Sequence, residues 1–208
     1  MEKTAVFIDA EYLLQSLRAL WGKPRNVLIR KEDFLWNKFV RFILDEKKAS
    51  EVFYYTARLD AEENQKTFDA QTKFFEQIER ELRPFGLKMR LGKMIKIRNK
   101  IGGTWNEHFQ NSPSKQRNSW GQKGIDTKII LDMCRFAYEK KDDDKCKTIL
   151  VSGDEDFAEA LTLLREKGVT TKLVAFNRIS NKVSDSLKES ADSFTILDYD
   201  ILRRNSLI

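Results

Sequence analysis

The sequence predicts an α/β protein, a three-layer α/β/α sandwich built on a mostly parallel central sheet. Three observations carry this. Short apolar runs that read as strands alternate along the chain with longer amphipathic segments that read as helices. In the first predicted strand, residues 4–8, Ala5-Val-Phe-Ile8 is apolar without interruption, as a strand buried on both faces is. Acidic residues follow the predicted strands at the ends where open sheets bind ligands.

The elements follow in order. The strand at residues 4–8 ends at Asp9, and residues 10–20 form a helix with Leu13, Leu14 and Leu17 on one side. A second helix is predicted over 32–45, its stripe made by Phe34, Leu35, Phe39, Phe42 and Ile43. Residues 51–57 are β-rich. A long helix over 61–83 carries Phe68, Phe74, Phe75, Ile78 and Leu82 on one face and is stopped by Pro84 and Gly86. Strands at 87–91, 148–151, 171–176 and 194–197 alternate with helices at 125–139, 157–167 and 184–191. No repeat or long linker divides the chain, so residues 1–208 are expected to form a single domain. Residues 92–122 interrupt the order. Gly102-Gly103, Pro113 and a polar run predict an extended hairpin followed by a loop.

Composition narrows the chemistry. The chain has 208 residues, enough for a sizeable core without disulfides. It has one histidine, His108, and two cysteines, Cys134 and Cys146, far from any CxxC spacing. A zinc site or a Ser-His-Asp triad is therefore disfavoured, whereas 32 acidic residues leave a hard-cation site open. No apolar run approaches the ~20 residues that span a bilayer, and the N-terminus lacks a secretory pattern. With two reduced thiols, this predicts a cytoplasmic protein that does not engage membranes. No GxxxxGK[ST] loop and no GxGxxG turn is present, which argues against P-loop and dinucleotide-binding chemistry.

Four acids stand at strand-to-helix junctions: Asp9, Asp126, Asp154 and Asp156. Each has an ordinary explanation. Asp154 can cap the following helix, Asp156 can favour its N-terminus, Asp9 can end a strand in a turn, and Asp126 can be a first-turn acid. Their coincidence favours a site. If the strands ending at Asp9 and Asp154 are neighbours, the carboxylates converge, and a divalent cation is the usual reason for crowded carboxylates to stay ionised.

Three segments resemble the NYN domain family, in its LabA-like branch: Val6-Phe-Ile-Asp-Ala-Glu11, Lys123-Gly-Ile-Asp126 running on through Leu131-Asp132, and Leu150-Val-Ser-Gly-Asp-Glu-Asp-Phe157. Ser184, Leu187, Ala191-Asp192 and Phe194 add a weaker match. The third segment is the most specific. The resemblance implies a PIN-like, Rossmann-like fold and a ribonuclease using Mg²⁺ or Mn²⁺. It makes Asp9, Asp126, Asp154 and Asp156 the metal-site acids. Gly124 would allow close approach of the backbone, and Ser152 would steady the loop or a phosphate. Asp132 matches a recurrent family acid but lies about 240° around the helix from Asp126, so it reads as structural. One departure is clear. Tyr12 stands where many relatives have Asn, and Glu11 is the nearest residue able to compensate.

Between Gly92 and Lys123 lie Lys93, Lys96, Arg98, Lys100, Lys115, Arg117 and Lys123, with Glu107 as the only acid. The segment's net charge of +6 equals that of the whole chain, which points to a polyanion. Lys93, Lys96, Arg98 and Lys100 mostly alternate, and on a strand they would share one face as a ladder for phosphates. Trp105, His108, Phe109 and Trp120 are interleaved and suit stacking of unpaired bases, hence single-stranded RNA; a solvated hairpin packing its aromatics on the body is the alternative. Trp21, Trp36 and the Phe-rich helices fit either core packing or the contacts of a homodimer. Two further functions remain open at this stage. A non-catalytic RNA-binding or scaffolding module is supported by Tyr12 and opposed by the four acids. A Mg²⁺-dependent phosphatase for small esters is opposed by the basic segment.

Overall fold

The computed structural model describes residues 2–20, 34–98, 118–141, 144–177 and 183–208. The strands are β1 (Glu2–Asp9), β2 (Glu51–Arg58), β3 (Leu87–Arg98), β4 (Asn118–Lys123), β5 (Lys145–Val151), β6 (Thr170–Phe176) and β7 (Ser193–Leu197). The helices are α1 (Ala10–Leu20), α2 (Trp36–Ile43), α3 (Gln65–Leu82), α4 (Ile125–Tyr138), α5 (Ala158–Glu166), α6 (Asp185–Glu189) and α7 (Tyr199–Arg204). All seven strands form one sheet in the order β4-β3-β2-β1-β5-β6-β7. Every pairing is parallel except β3 with β4. The sandwich and its mostly parallel sheet are as the alternation of segments predicted.

Alternate residues of the apolar strands feed two separate cores. Val6, Ile8, Val52, Tyr54, Val151 and Val174 face α1, α2, α3 and α7. Ala5, Phe7, Phe53, Tyr55, Leu150 and Ala175 face α4, α5 and α6. This two-sided burial is why the central strands carry apolar residues at successive positions. Phe7 stacks on Phe53 with ring centroids 5.0 Å apart. Trp36 is fully buried against Tyr54, which makes it a core residue.

Several boundaries differ from the sequence reading. α2 begins at Trp36, and Leu35 instead donates its N–H to the Leu207 carbonyl at 3.0 Å, docking the C-terminal segment. α3 begins at Gln65, where Asn64 caps it by accepting from the Thr67 N–H. α7 was not anticipated. It has six residues, too few to show a period, and its visible cue is Asp198, which accepts from the Ile201 N–H at 2.8 Å. β3 runs past residue 91 to Arg98 and pairs with β4, so the hairpin is present. Residues 99–117, on which most of the expected hairpin and loop falls, lie outside the described residues.

Asp132 is structural, as its position on the helix implied. It is 8% exposed on α4, accepts from the Tyr55 hydroxyl at 3.0 Å, and forms ion pairs with Arg90 and Arg135. Asp192 accepts from the Thr171 N–H at 2.7 Å and pairs with Arg165, tying β6 to α5.

Candidate active site

The chain builds outward from β1 to β2 and β3, then returns to place β5 on the other side of β1. The order therefore reverses between β1 and β5, and ligands of open α/β sheets bind at the carboxyl ends of such neighbours. Ile8 pairs with Val151 in the register, so Asp9 and Ser152 leave the sheet side by side.

Asp9 is held at both oxygens. Oδ1 accepts from the Tyr12 N–H at 3.1 Å, and Oδ2 accepts from the Ser152 hydroxyl at 3.3 Å. Ser152 is fully buried, and its oxygen also accepts from the Asp154 N–H at 3.3 Å. Asp154 caps the short 3₁₀ turn at 155–157, its Oδ1 accepting from the Asp156 N–H at 3.1 Å. Capping is thus real at Asp9 and at Asp154. It does not exhaust them, because both also line an open cleft of about 340 Å³ with Glu11 and Asp126. Tyr12, Gln15 and Gln122 line the same cleft. Asp156 does not line it. Its side chain stands outside, although its charge still acts on Asp126.

The electrostatics carry the mark of this crowding. Asp9 is 8% exposed, and its carboxyl is pushed up to about 6. Burial is the largest cause, and the charges of Asp126 and Glu11 add to it against the two hydrogen bonds. Asp126 is also raised, first by burial and then by Asp154, Asp156 and Glu11. Four carboxylates line one opening, and a fifth, Asp156, acts on Asp126 from beside it. Glu11 is part of this field, and its Oε1 accepts from Gln15 Nε2 at 2.8 Å.

Tyr12 fills the wall between β1, β5 and β6. Its ring lies so close to Gly153 that an added Cβ would meet the phenolic oxygen at 2.5 Å. Its hydroxyl accepts from the Phe176 N–H at 2.9 Å. The side chain at position 12 thus braces three strand ends, and the donor to Asp9 at this residue is its backbone N–H. Gly124 precedes α4 with φ +77°, and nothing lies within 4 Å of where its Cβ would be. Its positive φ serves the left-handed turn into α4.

The basic residues divide. Lys93 and Lys123 are exposed and directly paired across β3 and β4. The register of β3 is continuous from Lys93 to Arg98, so Lys93 is out of phase with Lys96 and Arg98. The expected one-faced ladder fails because 93 and 96 differ by an odd number. Lys100, Lys115 and Arg117 lie outside the described residues, as do Trp105, His108 and Phe109.

The donors suit a hard cation. They are carboxylates, two of them raised by burial first and by their neighbours' charges second, and a divalent ion would offset both. Among the described residues no three acids close on one point as a ready ligand cage. Mg²⁺ does not require one, since it keeps several waters and takes one or two carboxylates together with substrate phosphates.

A mostly parallel sheet of this order, covered on both faces and carrying acids at the β1/β5 switch point, is consistent with an α/β fold of the PIN-like type. The sequence profile of the NYN domain matches residues 3–198, and the chain belongs to that family. A crystal structure of a protein of unknown function from Vibrio parahaemolyticus shares the fold, with a TM-score of 0.57 over 96% of this chain and 94% of that one, at 20% identity. No curated protein matches the sequence significantly.

Sequence reasoning did not single out Gln15 or Gln122. Gln15 could have been found from Glu11, since residues four apart share a helix face. Gln122 had no local signal, because only the hairpin pairing brings it to the cleft.

Proposed function

We propose that the protein is a metal-dependent endoribonuclease that hydrolyses single-stranded RNA. The observation that supports this most is Asp9, buried at the switch point, held at both oxygens and raised to about 6 by burial and neighbouring acids. Folding tolerates such an arrangement poorly unless function keeps it. The resemblance to LabA-like relatives points the same way.

Asp9, Asp126 and Asp154, with Glu11, would hold Mg²⁺ or Mn²⁺. When bound, the cation polarises a phosphodiester oxygen and acidifies a water at neutral pH. The chain's own residues do the rest. Ser152 and the Tyr12 N–H fix the rotamer of Asp9. Asp126 is raised by burial and by the charges of Asp154, Asp156 and Glu11, which a cation's arrival would offset. Lys123, three residues from Asp126, brings positive charge to the rim of a cleft that would otherwise repel RNA. Lys93 adds to it, and Lys96 and Arg98 extend along β3 beyond it.

The test is incubation of purified protein with mixed RNA and DNA substrates, with Mn²⁺, Mg²⁺ or EDTA, beside Asp9→Asn, Asp126→Asn and Asp154→Asn. RNA should be cut with metal and spared with EDTA, and each variant should lose most turnover while staying folded. Cleavage that none of the three variants reduces would assign the activity elsewhere. RNA binding without cleavage under any divalent metal would leave a binding or scaffolding module.

A further inference from the structure

The register aligns three cations in one transverse row. Arg58 on β2 pairs with Lys93 on β3, and Lys93 pairs with Lys123 on β4. Residues opposed in this way share a sheet face. Adjacent strands lie about 4.8 Å apart, so the row spans roughly 10 Å. It starts at Lys123, next in sequence to Gln122 of the acidic cleft, and crosses from the edge strand β4 through β3 to β2, the neighbour of β1.

The row is not what stability alone selects. Like charges directly opposite each other destabilise a strand pair. Among the described residues, neither Lys93 nor Lys123 has an acidic partner, whereas Lys88, Arg90 and Arg135 each have one. Arg58 is held in place by α3. Its guanidinium lies over the Phe68 ring, 3.9 Å from the centroid, and donates to Thr72 Oγ1, while its Nε is buried without a partner among the described atoms. Two apolar residues, Leu91 and Ile95, flank Lys93 on the same face and are 41% and 39% exposed. Cations flanked by exposed apolar side chains match a strand of nucleic acid better than a small anion. The phosphates meet the charges, and the base faces meet the hydrocarbon.

We propose that Arg58, Lys93 and Lys123 form a backbone-binding row for single-stranded RNA, distinct in register from Lys96 and Arg98, which holds nucleotides flanking the one at the acidic cleft. It rests on the nuclease reading for its substrate, not for its test.

The experiment is fluorescence anisotropy of a labelled oligouridylate with wild-type protein in EDTA, over a range of KCl. The same titration is run on Lys93→Gln/Lys123→Gln, and on Lys88→Gln as a control from the other face. Each lost phosphate contact removes about 0.7 from the slope of log K against log salt for single strands, so the double variant should lose about 1.4. Lys88→Gln should keep the wild-type slope. Arg58→Lys retains the charge but not the planar group, and should weaken binding with little change in slope. A double variant with the wild-type slope, or a wild-type protein that binds no RNA, overturns the row. Binding is read without metal, so the two ideas fail separately. A reduced slope in a protein that never cuts keeps the row and removes the nuclease. An unchanged slope in a protein that cuts does the reverse.

Discussion

The Ser152 hydroxyl donates to Asp9 Oδ2 at 3.3 Å across the junction of β5 and β1, joining two residues 143 positions apart in the chain. The bond favours the ionised carboxylate, and Asp9 is raised to about 6 despite it. Removing it with Ser152→Ala should raise Asp9 further and shift the acid limb of the activity profile to higher pH. It also leaves the Asp154 N–H without its acceptor. The expected loss of stability is about 1 kcal/mol per hydrogen bond, read by urea denaturation. An acid limb that stays in place would remove Ser152 from the control of Asp9.

Asp9→Asn should make the metal-free protein more stable at neutral pH. The folded-state value of about 6 lies above the unfolded 3.8. Between these values the native state binds the proton and the unfolded state does not, so stability falls as pH rises from about 4 to about 6. Above that window both states are ionised and the loss is complete, about 3 kcal/mol for a shift of this size. At pH 7.5 in EDTA the variant should therefore melt several degrees higher, at about 2–4 °C per kcal/mol for a chain of this length. The advantage should vanish below pH 4. A variant less stable than wild type at both pH values would contradict the electrostatic account.

Divalent metal should raise the melting temperature of the wild type, since a ligand of the native state stabilises it by about 2.7 kcal/mol at 100 times its Kd. Mn²⁺ competes with a proton for Asp9, so the gain should shrink as pH falls through about 6. Asp126→Asn should reduce the gain at every pH. An equal shift in wild type and Asp126→Asn would place the metal elsewhere.

Tyr12 and Gly153 should be energetically coupled. Gly153→Ala puts a methyl into the Tyr12 ring, whose nearest atoms are backed by Phe176 and cannot retreat freely. Tyr12→Asn clears the space. Gly153→Ala should thus cost at least about 1 kcal/mol in the wild-type background and much less in Tyr12→Asn, which a double-mutant cycle measures. Additive costs would mean that the ring moves aside readily.

How much of this was written in the sequence depends on the range over which each feature is determined. The strands and helices came from local periodicity, and the acids announced themselves by standing just after apolar strands. Those signals are short-range, which is why Asp9, Asp126 and Asp154 were named and α7, with six residues, was not. The parity of Lys93 and Lys96 was also legible, since strand side chains alternate strictly, although the sequence reading grouped them on one face. Only the tertiary structure decided what lies opposite what. Chain order says nothing of β5 settling beside β1, of Gln122 reaching the cleft, or of Tyr12 bracing β6 against Gly153. Nor does it reveal that Arg58, Lys93 and Lys123 fall in one row, because that follows from two pairing registers spanning residues 58 to 123. The sequence determined which groups the protein carries; the pairing of strands decided which charges must live together, and burial then set the strength of their interaction.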